Sequence, residues 1–377
     1  MKILLLAGEE SGLIYARALA ARLPNATIRG YQDYGFQTSD LAVMGFAAVL
    51  RNIFFFLRVK RTMEHAIDTW HPDVVCTIDY PGLNLKLAAY AKSRGIRTVH
   101  IVCPQVWAWK QGRIPKIERA LDHLCCFFPF EPRLFKPGFA TFVGHPLLAD
   151  FNASCANVSV TKPTSCADRI VALLPGSRRG EITRILPTLL AAIPHIDAQH
   201  FIIPAANDGA FNLIESILKT HPIEGKEITV QHGGAREVLR RATCAAVASG
   251  TATLEAALAN CPTVLVYRVS PLLAAFARLV IRGTKYIGLA NIIWDRSVEK
   301  TAANAAPPMP ELLQEAFTSQ AVAEKLNAWL ENPEALSAAE LNLKTTVATL
   351  ETSSDSISLI LQKLTLLVQD KETIDKS

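Results

Sequence analysis

The sequence predicts an α/β protein with two doubly wound, Rossmann-like domains, and three observations support this prediction. Short apolar runs alternate with helical stretches along most of the chain, which is the pattern of a mostly parallel sheet covered by helices. A chain of 377 residues, 50% apolar and 19% charged, can bury two cores of ordinary size. The segment 152–168 is rich in Ser, Thr, Asn and Ala, lacks periodicity and separates two series of strands.

These observations predict the domain boundaries. We expect an N-terminal domain at 1–151, a linker at 152–168, a C-terminal domain at 169–350 and a C-terminal helix at 351–377. The two domains are expected to face one another across a cleft. The last helix is expected either to pack back on the N-terminal domain or to be exchanged between protomers.

Composition limits the function classes. A formal charge of +5 is modest for this length, so nucleic acid is not an expected partner, whereas an anionic small substrate or an anionic lipid surface is. The eight cysteines form no C-x-x-C pair, which argues against a zinc site and a disulfide framework. The apolar run at 3–8 is too short for a signal peptide, and arginines interrupt the longer apolar stretches. We therefore expect a cytoplasmic protein without a transmembrane segment.

A glycine-containing turn in the second half is the first candidate site. An apolar strand at 169–174 is followed by Pro175, Gly176, Ser177 and Arg178, and then by a helix. Such a turn directs unpaired N–H groups and the positive end of a helix dipole to one point, and the arginine adds a forked donor, so the turn can hold a diphosphate. Alternatively, the turn is only a sharp connection and the arginine belongs to a solvated helix face.

A second turn repeats this arrangement at Ser249, Gly250 and Thr251, again between a strand and a helix. Glu255 follows one turn into that helix, where its carboxylate could accept hydrogen bonds from ribose hydroxyls, although a simple interaction with the helix dipole is the alternative. The chain has no Asp-x-Asp sequence, so we expect no metal ion and expect arginine and backbone amides to meet the diphosphate charge.

In the first half, three loops follow predicted strands and should line one rim of a sheet: 8–12, 79–84 and 103–109. Asp79 ends one of these strands and is a candidate general base, with Glu9 and Glu10 as rivals. A turn or N-cap role is the alternative for Asp79. Ser11 is expected to cap a helix at 13–23.

Two further segments carry aromatic side chains beside cations. Trp107 and Trp109 precede Lys110 in a loop, where indoles could stack on sugar rings or simply pack in the core. A helix is expected at 46–70, and a helical wheel places six apolar residues on its core face: Phe46, Val49, Leu50, Ile53, Phe56 and Leu57. The wheel directs Phe55 outward and places Phe54 at the edge, near three arginines at positions 51, 58 and 61. This outer face is typical of a membrane-surface anchor, with a protein–protein contact or a second packed layer as the alternative.

Toward the C-terminus, the run 286–291 is expected to be a strand whose end carries Asn291, and 310–314 is expected to begin a further helix.

Together these stretches resemble the lipid-A-disaccharide synthase family, which are glycosyltransferases of the two-lobed GT-B fold. The resemblance covers most of the chain in family order, and the ordered set of motifs is highly specific although each motif alone is weak. The matching stretches are 7–12, 41–45, 72–79, 106–109, 128–131, 144–146, 173–178 with Glu181, 249–255 and 311–315.

The resemblance implies transfer of 2,3-diacylglucosamine from its UDP donor to the 6-hydroxyl of 2,3-diacylglucosamine 1-phosphate (lipid X), with inversion and without a cofactor. It implies that Asp79 is the base and that Arg178 neutralises the departing UDP. The implied UDP-binding residues are Gly176, Ser177, Arg178, Ser249, Gly250, Thr251, Glu255 and Asn291. The implied acceptor-binding residues are Glu9, Glu10, Ser11, Trp107 and Trp109. Peripheral contact with the inner face of the cytoplasmic membrane would use Arg51, Phe54, Phe55 and Arg58, and homodimer formation is left open.

The chain departs from the family pattern at Leu13 and Gly82, where the family usually has Asp, and the segment 30–40 is shorter. All three departures lie in the first half, so the resemblance implies the donor site more closely than the acceptor site. Two alternatives follow: a GT-B enzyme with another acceptor, such as an epimerase or a different transferase, and a homologue that binds the UDP-sugar without turnover.

Overall fold

The computed structural model describes residues 1–41, 53–155, 168–270, 274, 283–301 and 306–374. The predicted linker therefore lies largely outside the described residues. The chain divides into two compact units, unit 1 with Met1–Pro146 and Thr352–Ser377, and unit 2 with Leu147–Glu351. Each unit is an α/β layer structure of its own.

Unit 1 is built on a six-stranded, wholly parallel sheet with the order β2-β1-β3-β4-β5-β6. Parallel pairing follows from the alternation of strands with helices, because each strand must cross over before it can pair in the same direction. The strands are β1 (Lys2–Ala7), β2 (Thr27–Arg29), β3 (Val74–Ile78), β4 (Arg97–Ile101), β5 (His123–Cys126) and β6 (Ala140–Phe142).

Helices cover both faces of this sheet. Those of unit 1 in the described residues are α1 (Glu10–Ala21), α2 (Thr38–Leu41), α3 (Ile53–Trp70), α4 (Pro81–Ser93) and α5 (Ile114–Ala120), while α6 (Pro146–Cys155) begins at the boundary. The helix expected at 13–23 instead begins at Glu10, with Glu9 at its N-cap, so the prediction that Ser11 is the cap was wrong. The strand already ends at Ala7, which leaves room for an earlier helix start.

Side chains of β1 alternate between two cores, as the two-residue period of a strand requires. Ile3 and Leu5 belong to one core, which also contains Ile360 and Leu364 of the C-terminal helix α14 (Ser356–Ile374). Leu4 and Leu6 belong to the opposite core, which is covered by helices α3 and α4. The sheet is therefore buried on both faces, which explains why its strands are almost continuously apolar.

Unit 2 repeats the architecture with a second six-stranded parallel sheet in the order β12-β11-β10-β7-β8-β9. In this order β7 and β10 are neighbours, so the two glycine turns that follow them leave the sheet side by side. The strands are β7 (Ile170–Leu174), β8 (His200–Ala205), β9 (Glu227–His232), β10 (Cys244–Ala248), β11 (Thr263–Tyr267) and β12 (Glu311–Leu313).

The helices of unit 2 pack on both faces of this sheet. Val171 and Leu173 face one core, and Ile170, Ala172 and Leu174 face the other. The helices that the structure describes here are α7 (Arg179–Ala192), α8 (Asp208–Lys219), α9 (Ala235–Arg241), α10 (Thr251–Leu258), α11 (Leu289–Ser297), α12 (Ser319–Leu330) and α13 (Pro333–Ala348).

Two secondary-structure predictions in unit 2 were wrong. Residues 289–297 form helix α11 rather than the end of a strand, because Gly288 starts a helix whose first residues are buried on every side and so show no helical periodicity. Residues 311–313 form the edge strand β12 rather than a helix start, because they pair in parallel with β11. A three-residue strand is too short for its own sequence pattern to reveal it.

Within the described residues, no helix combines the length and the apolar character that crossing a bilayer would require.

We predict that helix α14 stabilises unit 1 through two side chains. Ile360 and Leu364 are 0% and 1% exposed, so Ile360→Ala and Leu364→Ala should each lower the free energy of unfolding by roughly 2–5 kcal/mol. Urea denaturation measures this change. Leu366→Ala is the matched control, because Leu366 lies on the same helix and is 45% exposed. Equal losses for the control and the two core variants would contradict this assignment.

Candidate functional site

Both glycine turns of unit 2 open into one cavity of about 320 Å³ at the carboxyl ends of β7 and β10. Seven of the residues expected to bind UDP line it, namely Gly176, Ser177, Arg178, Ser249, Gly250, Thr251 and Glu255. Helices α7 and α10 both begin at this cavity, at Arg179 and Thr251. Their unpaired N–H groups and positive dipole ends make the cavity suited to an anion.

The first turn brings a carboxylate close to the backbone. Gly176 has φ +105°, and a Cβ placed there would lie 2.6 Å from Oε2 of Glu181, so only glycine fits. Glu181 in turn accepts a hydrogen bond from Arg178 Nη1 at 3.1 Å. The side chain of Arg178 is 67% exposed. An exposed pair of this kind contributes at most about 1 kcal/mol, so a diphosphate can readily recruit the guanidinium.

The second turn carries a more firmly held carboxylate. Glu255 Oε1 accepts a hydrogen bond from Arg236 Nε at 2.8 Å, and Arg236 Nη1 reaches Asp150 Oδ2 at 2.7 Å. The two carboxylates raise the pKa of Arg236 against the opposing effect of its partial burial. Arg236 therefore orients Glu255 and joins helix α6 to helices α9 and α10. Sequence reasoning missed Arg236, because its partners lie 19 and 86 residues away.

Asn291 is not among the residues that line this cavity. It is fully buried, its amide nitrogen donates to the backbone oxygen of Met309 and to Glu311 Oε1, and its oxygen accepts from the N–H of Met309. Glu311 also accepts from the N–H groups of Ile287 and Gly288. In this structure Asn291 thus holds the loop before α11 through Glu311.

A second group of candidates lies in unit 1, around Asp79. Asp79 and Tyr80 both have left-handed backbones, with φ of 49° and 51°, and Asp79 Oδ1 accepts from the N–H of Tyr80 at 2.8 Å. Gly8 packs against the Tyr80 ring so closely that a Cβ there would lie 2.5 Å from that side chain. The loops 8–12 and 79–84 therefore meet at one rim, as the sequence predicted.

The acids at this rim influence one another. Partial burial raises the pKa of Asp79, although the N–H of Tyr80 opposes the rise. Desolvation and the negative charge of Asp79 raise the pKa of Glu9. Such raised values suit a carboxylate to general base catalysis. The structure does not describe the side chains of Glu10 and Ser11.

Asn84 fixes the shape of this rim, a role that sequence reasoning missed. Its buried amide nitrogen donates to the carbonyl oxygens of Leu6, Ile78 and Asp79, and its oxygen accepts from the Tyr31 hydroxyl at 2.6 Å. These bonds tie the ends of β1 and β3 to the first turn of α4. In the sequence, an asparagine within an apolar helix indicates only that a buried amide needs hydrogen-bond partners, and it does not show which groups these partners are.

Trp107 lies in the core of unit 1. It is 3% exposed, its Nε1 donates to Glu131 Oε1 at 3.0 Å, and its ring lies edge-on to Phe130. Trp109 is half-buried and carries the Lys110 ammonium over its ring at 4.3 Å. The two tryptophans therefore differ: Trp107 packs in the core, whereas Trp109 is partly exposed beside a cation.

Glu131 is the centre of a buried polar cluster with Cys103 and Cys126, whose sulfur and oxygen atoms lie within 4.8 Å of one another. Burial raises the pKa of Glu131 to about 8. Thiols and a carboxylate are potential metal ligands, but both oxygens of Glu131 already accept N–H bonds, from Trp107 and from Phe128. The geometry is that of an internal hydrogen-bonded cluster that anchors the 103–109 loop.

Helix α3 buries only part of the face that the wheel predicted: Phe56 packs against the core of unit 1, whereas Phe46, Val49 and Leu50 lie outside the described residues. Its core contacts come from Val59, Met63, Ala66 and Ile67, whereas Ile53 and Leu57 are 44% and 43% exposed. The wheel was wrong for Ile53 and Leu57, because helical spacing shows that a face is apolar but does not show what covers it. Phe54 is 83% exposed, as is consistent with an outer position, and Arg58 is exposed as well.

Phe55 was expected to point outward, and this was wrong. It is half-buried and lies edge-on to both Phe36 and Phe56, at 6.0 and 5.5 Å between ring centroids. Its partner Phe36 comes from a separate segment that periodicity cannot reveal. Arg51 lies outside the described residues.

Solved structures similar to the chain share its fold. MurG from Acinetobacter baumannii has a TM-score of 0.56 and 12% identity, covering 93% of this chain and 98% of that one. The calicheamicin glycosyltransferase CalG4 has a TM-score of 0.57 and 13% identity, covering 98% of each chain. The two parallel-sheet units thus define a protein of the GT-B fold class.

Sequence comparison gives the family within this class. Residues 3–363 match the sequence model of the family described as lipid-A-disaccharide synthetase. The lipid-A-disaccharide synthase of Xanthomonas oryzae pv. oryzae is 36% identical over 352 residues, covering 87% of this chain and 79% of the relative. That of Burkholderia thailandensis is 35% identical over 350 residues, covering 86% of each. The chain belongs to the lipid-A-disaccharide synthase family, whose members are hexosyltransferases.

We predict a pH-dependent stability that originates at Glu131. Because its pKa is about 8 in the folded chain against an ordinary value of 4.5, the neutral carboxyl favours the folded state below pH 4.5, and this contribution is lost as the pH rises toward 8. The wild-type free energy of unfolding should fall in this range by up to about 1.4 kcal/mol per pH unit.

Glu131→Gln supplies the comparison, since its uncharged amide can still accept from Trp107. Denaturant unfolding at pH 5, 6, 7 and 8 should give a flatter pH dependence for this variant than for the wild type. Parallel curves for the two proteins would show that Glu131 does not titrate in this range.

Proposed function

We propose that the chain transfers a 2,3-diacylglucosamine unit from its UDP donor to the 6-hydroxyl of 2,3-diacylglucosamine 1-phosphate. The products are the β-1,6-linked disaccharide 1-phosphate and UDP. Family membership over residues 3–363 supports these substrates. The observation that carries the proposal is the cavity of unit 2 at which both glycine turns and the N-termini of α7 and α10 converge.

On the donor side, we propose that unit 2 binds the UDP moiety. The amides at Gly176–Ser177 and Gly250–Thr251 would bind the diphosphate, and Arg178 would leave Glu181 to neutralise the charge that develops on the departing UDP. Glu255 would accept hydrogen bonds from the ribose hydroxyls while Arg236 holds its other oxygen. A preorganised set of donors of this kind needs no rearrangement other than the swing of one exposed arginine.

On the acceptor side, we propose that Asp79 removes the proton from the acceptor hydroxyl, which then attacks the anomeric carbon in one inverting displacement. Its partial burial and raised pKa make its carboxylate a stronger base than an exposed aspartate. Glu9 is the alternative base, because its pKa is also raised and Asp79 contributes to that rise.

We predict that Asp79→Asn lowers kcat roughly 10²- to 10⁴-fold, since it removes the base and keeps the shape of the side chain. Assays of UDP release from the two lipid substrates measure this, and unchanged UDP binding shows that unit 2 is intact. The wild-type rate should rise with pH through the raised pKa of Asp79, and the variant should lack this acid limb. Turnover that survives in Asp79→Asn but is lost in Glu9→Gln would move the base to Glu9.

We predict that Arg178→Gln lowers kcat roughly 10²- to 10³-fold, because one donor to the leaving group is lost. The same UDP-release assay tests it. Arg184→Gln is the matched control: Arg184 lies on the helix that begins directly after Arg178, and it donates to the carbonyl of Gly180. Equal activities of the two variants would remove Arg178 from the proposed mechanism.

We further propose that the start of helix α3 contacts the inner face of the cytoplasmic membrane, where diacylated substrates reside. Ile53, Phe54 and Leu57 present exposed apolar surface next to the exposed Arg58. Apolar side chains enter the acyl boundary while arginine meets anionic headgroups, which is the usual composition of an interfacial helix.

We predict that Phe54→Ser with Leu57→Ser lowers binding to phosphatidylglycerol vesicles about tenfold or more, because burial of each side chain contributes roughly 1.5–3 kcal/mol. Flotation of protein with vesicles measures the bound fraction. Ile14→Ser is the control, since Ile14 is 65% exposed on another helix of unit 1. Binding that is unchanged in the double variant would exclude α3 as the contact.

A further inference from the structure

Two neighbouring cavities in unit 1 share Gly82 and Lys86, and one of them lies between the start of helix α3 and the Asp79–Tyr80 rim. Both shared residues are on helix α4, four positions apart, and therefore lie on one face of that helix. A Cβ at Gly82 would have no atom within 4 Å, so the space beside it is open. One ligand can therefore extend from one cavity into the other past Gly82.

The first cavity is mainly apolar and has a volume of about 480 Å³. Ile53, Phe56 and Leu57 of α3 form one wall, and Leu83 of α4 lies in the other. Tyr80 also lines it and directly follows Asp79. An apolar cavity of this size next to the proposed base is suited to a hydrocarbon chain.

The second cavity is strongly basic and has a volume of about 600 Å³. Lys86 of α4 faces Arg113, Lys116 and Arg119, which belong to α5 and the turn before it, and none of the described residues that line the cavity is acidic. Glu118 of α5 instead accepts from the N–H of Lys136. Four positive charges are therefore concentrated in one concave surface.

Among the described residues, these four cations have no carboxylate partner. Within the part of the chain that the structure describes, Lys86, Arg113, Lys116 and Arg119 form no ion pair, whereas nearby lysines do: Lys60 pairs with Glu64 and Lys92 with Asp122. Like charges in one cavity repel one another in the free protein. A bound anion relieves this repulsion, and guanidinium groups bind phosphate oxygens with two parallel hydrogen bonds.

We propose that the basic cavity binds the phosphate of the acylated acceptor while the adjoining apolar cavity holds one of its chains. This assignment rests on the proposed function, because it identifies the phosphate as the 1-phosphate of the acceptor sugar. The concave position of the cations between two helices favours a phosphate on a single bound molecule over the flat surface of a membrane. The cavity thus determines specificity for a phosphorylated acceptor.

The test uses the full-length double variant Arg113→Gln, Lys116→Gln. The control variant Lys325→Gln, Lys344→Gln removes the same charge from two exposed lysines of unit 2. The KM for the 1-phosphorylated acceptor and for its dephosphorylated form is measured for each protein. The double variant should raise the KM for the phosphorylated acceptor at least tenfold, and leave that for the dephosphorylated acceptor and for the UDP donor unchanged. Equal changes for both acceptors would overturn the proposal.

Direct binding separates this proposal from the proposed function. Calorimetry with decyl phosphate below its micelle concentration, in saturating UDP, should show binding to the wild type and the control, and at least tenfold weaker binding to the double variant, while decanol binds all three alike. This outcome supports the cavity even if no transfer occurs. The proposal would be overturned if the double variant bound decyl phosphate normally, or if it lost only its affinity for phosphatidylglycerol vesicles. In either case the proposed transfer reaction would be unaffected, because the UDP-release assay tests it separately.

Discussion

Buried asparagine amides hold the rims on which the rest of the structure depends. Asn84 donates to three carbonyl oxygens at the ends of β1 and β3, and so fixes the turn that carries Asp79. Asn291 acts in a comparable way in unit 2, where it joins the first turn of α11 to Met309 and Glu311. In each case the amide side chain forms hydrogen bonds with backbone groups near the end of a strand, which would otherwise be buried without a partner. Replacing such an asparagine would therefore leave several buried acceptors without a hydrogen bond at once.

The charges at the cavity of unit 2 differ in how firmly they are held. Glu255 is bound to an arginine that also bridges Asp150, whereas Arg178 is held only by an exposed pair with Glu181. The first arrangement keeps its carboxylate in one place. The second leaves its guanidinium able to turn toward a bound anion. The side chain of Glu255 is thus held firmly and that of Arg178 is free to move, although they lie at neighbouring turns of one sheet.

Sequence reasoning predicted most of the sheets and the glycine turns because both depend on local patterns. Strands β7 and β10 are short apolar runs, and each is followed by a glycine-containing segment for which a turn is the preferred backbone conformation. It failed where the outcome depends on distant partners. Phe55 is covered by Phe36, Trp107 is buried because Glu131 accepts from its indole, and Ile53 stays exposed although its helical spacing suggests a core. Periodicity shows that a face is apolar, but it does not show what covers that face.

The backbone of Asp79 and Tyr80 has a further consequence. Two successive residues with side chains occupy the left-handed region, where each costs on the order of 1–2 kcal/mol relative to glycine. A glycine at position 79 would relax this turn and eliminate the carboxylate at the same time. A glycine introduced there to gain stability would therefore cost the rim its carboxylate, so that thermal robustness and the presence of an acid are opposed at this position.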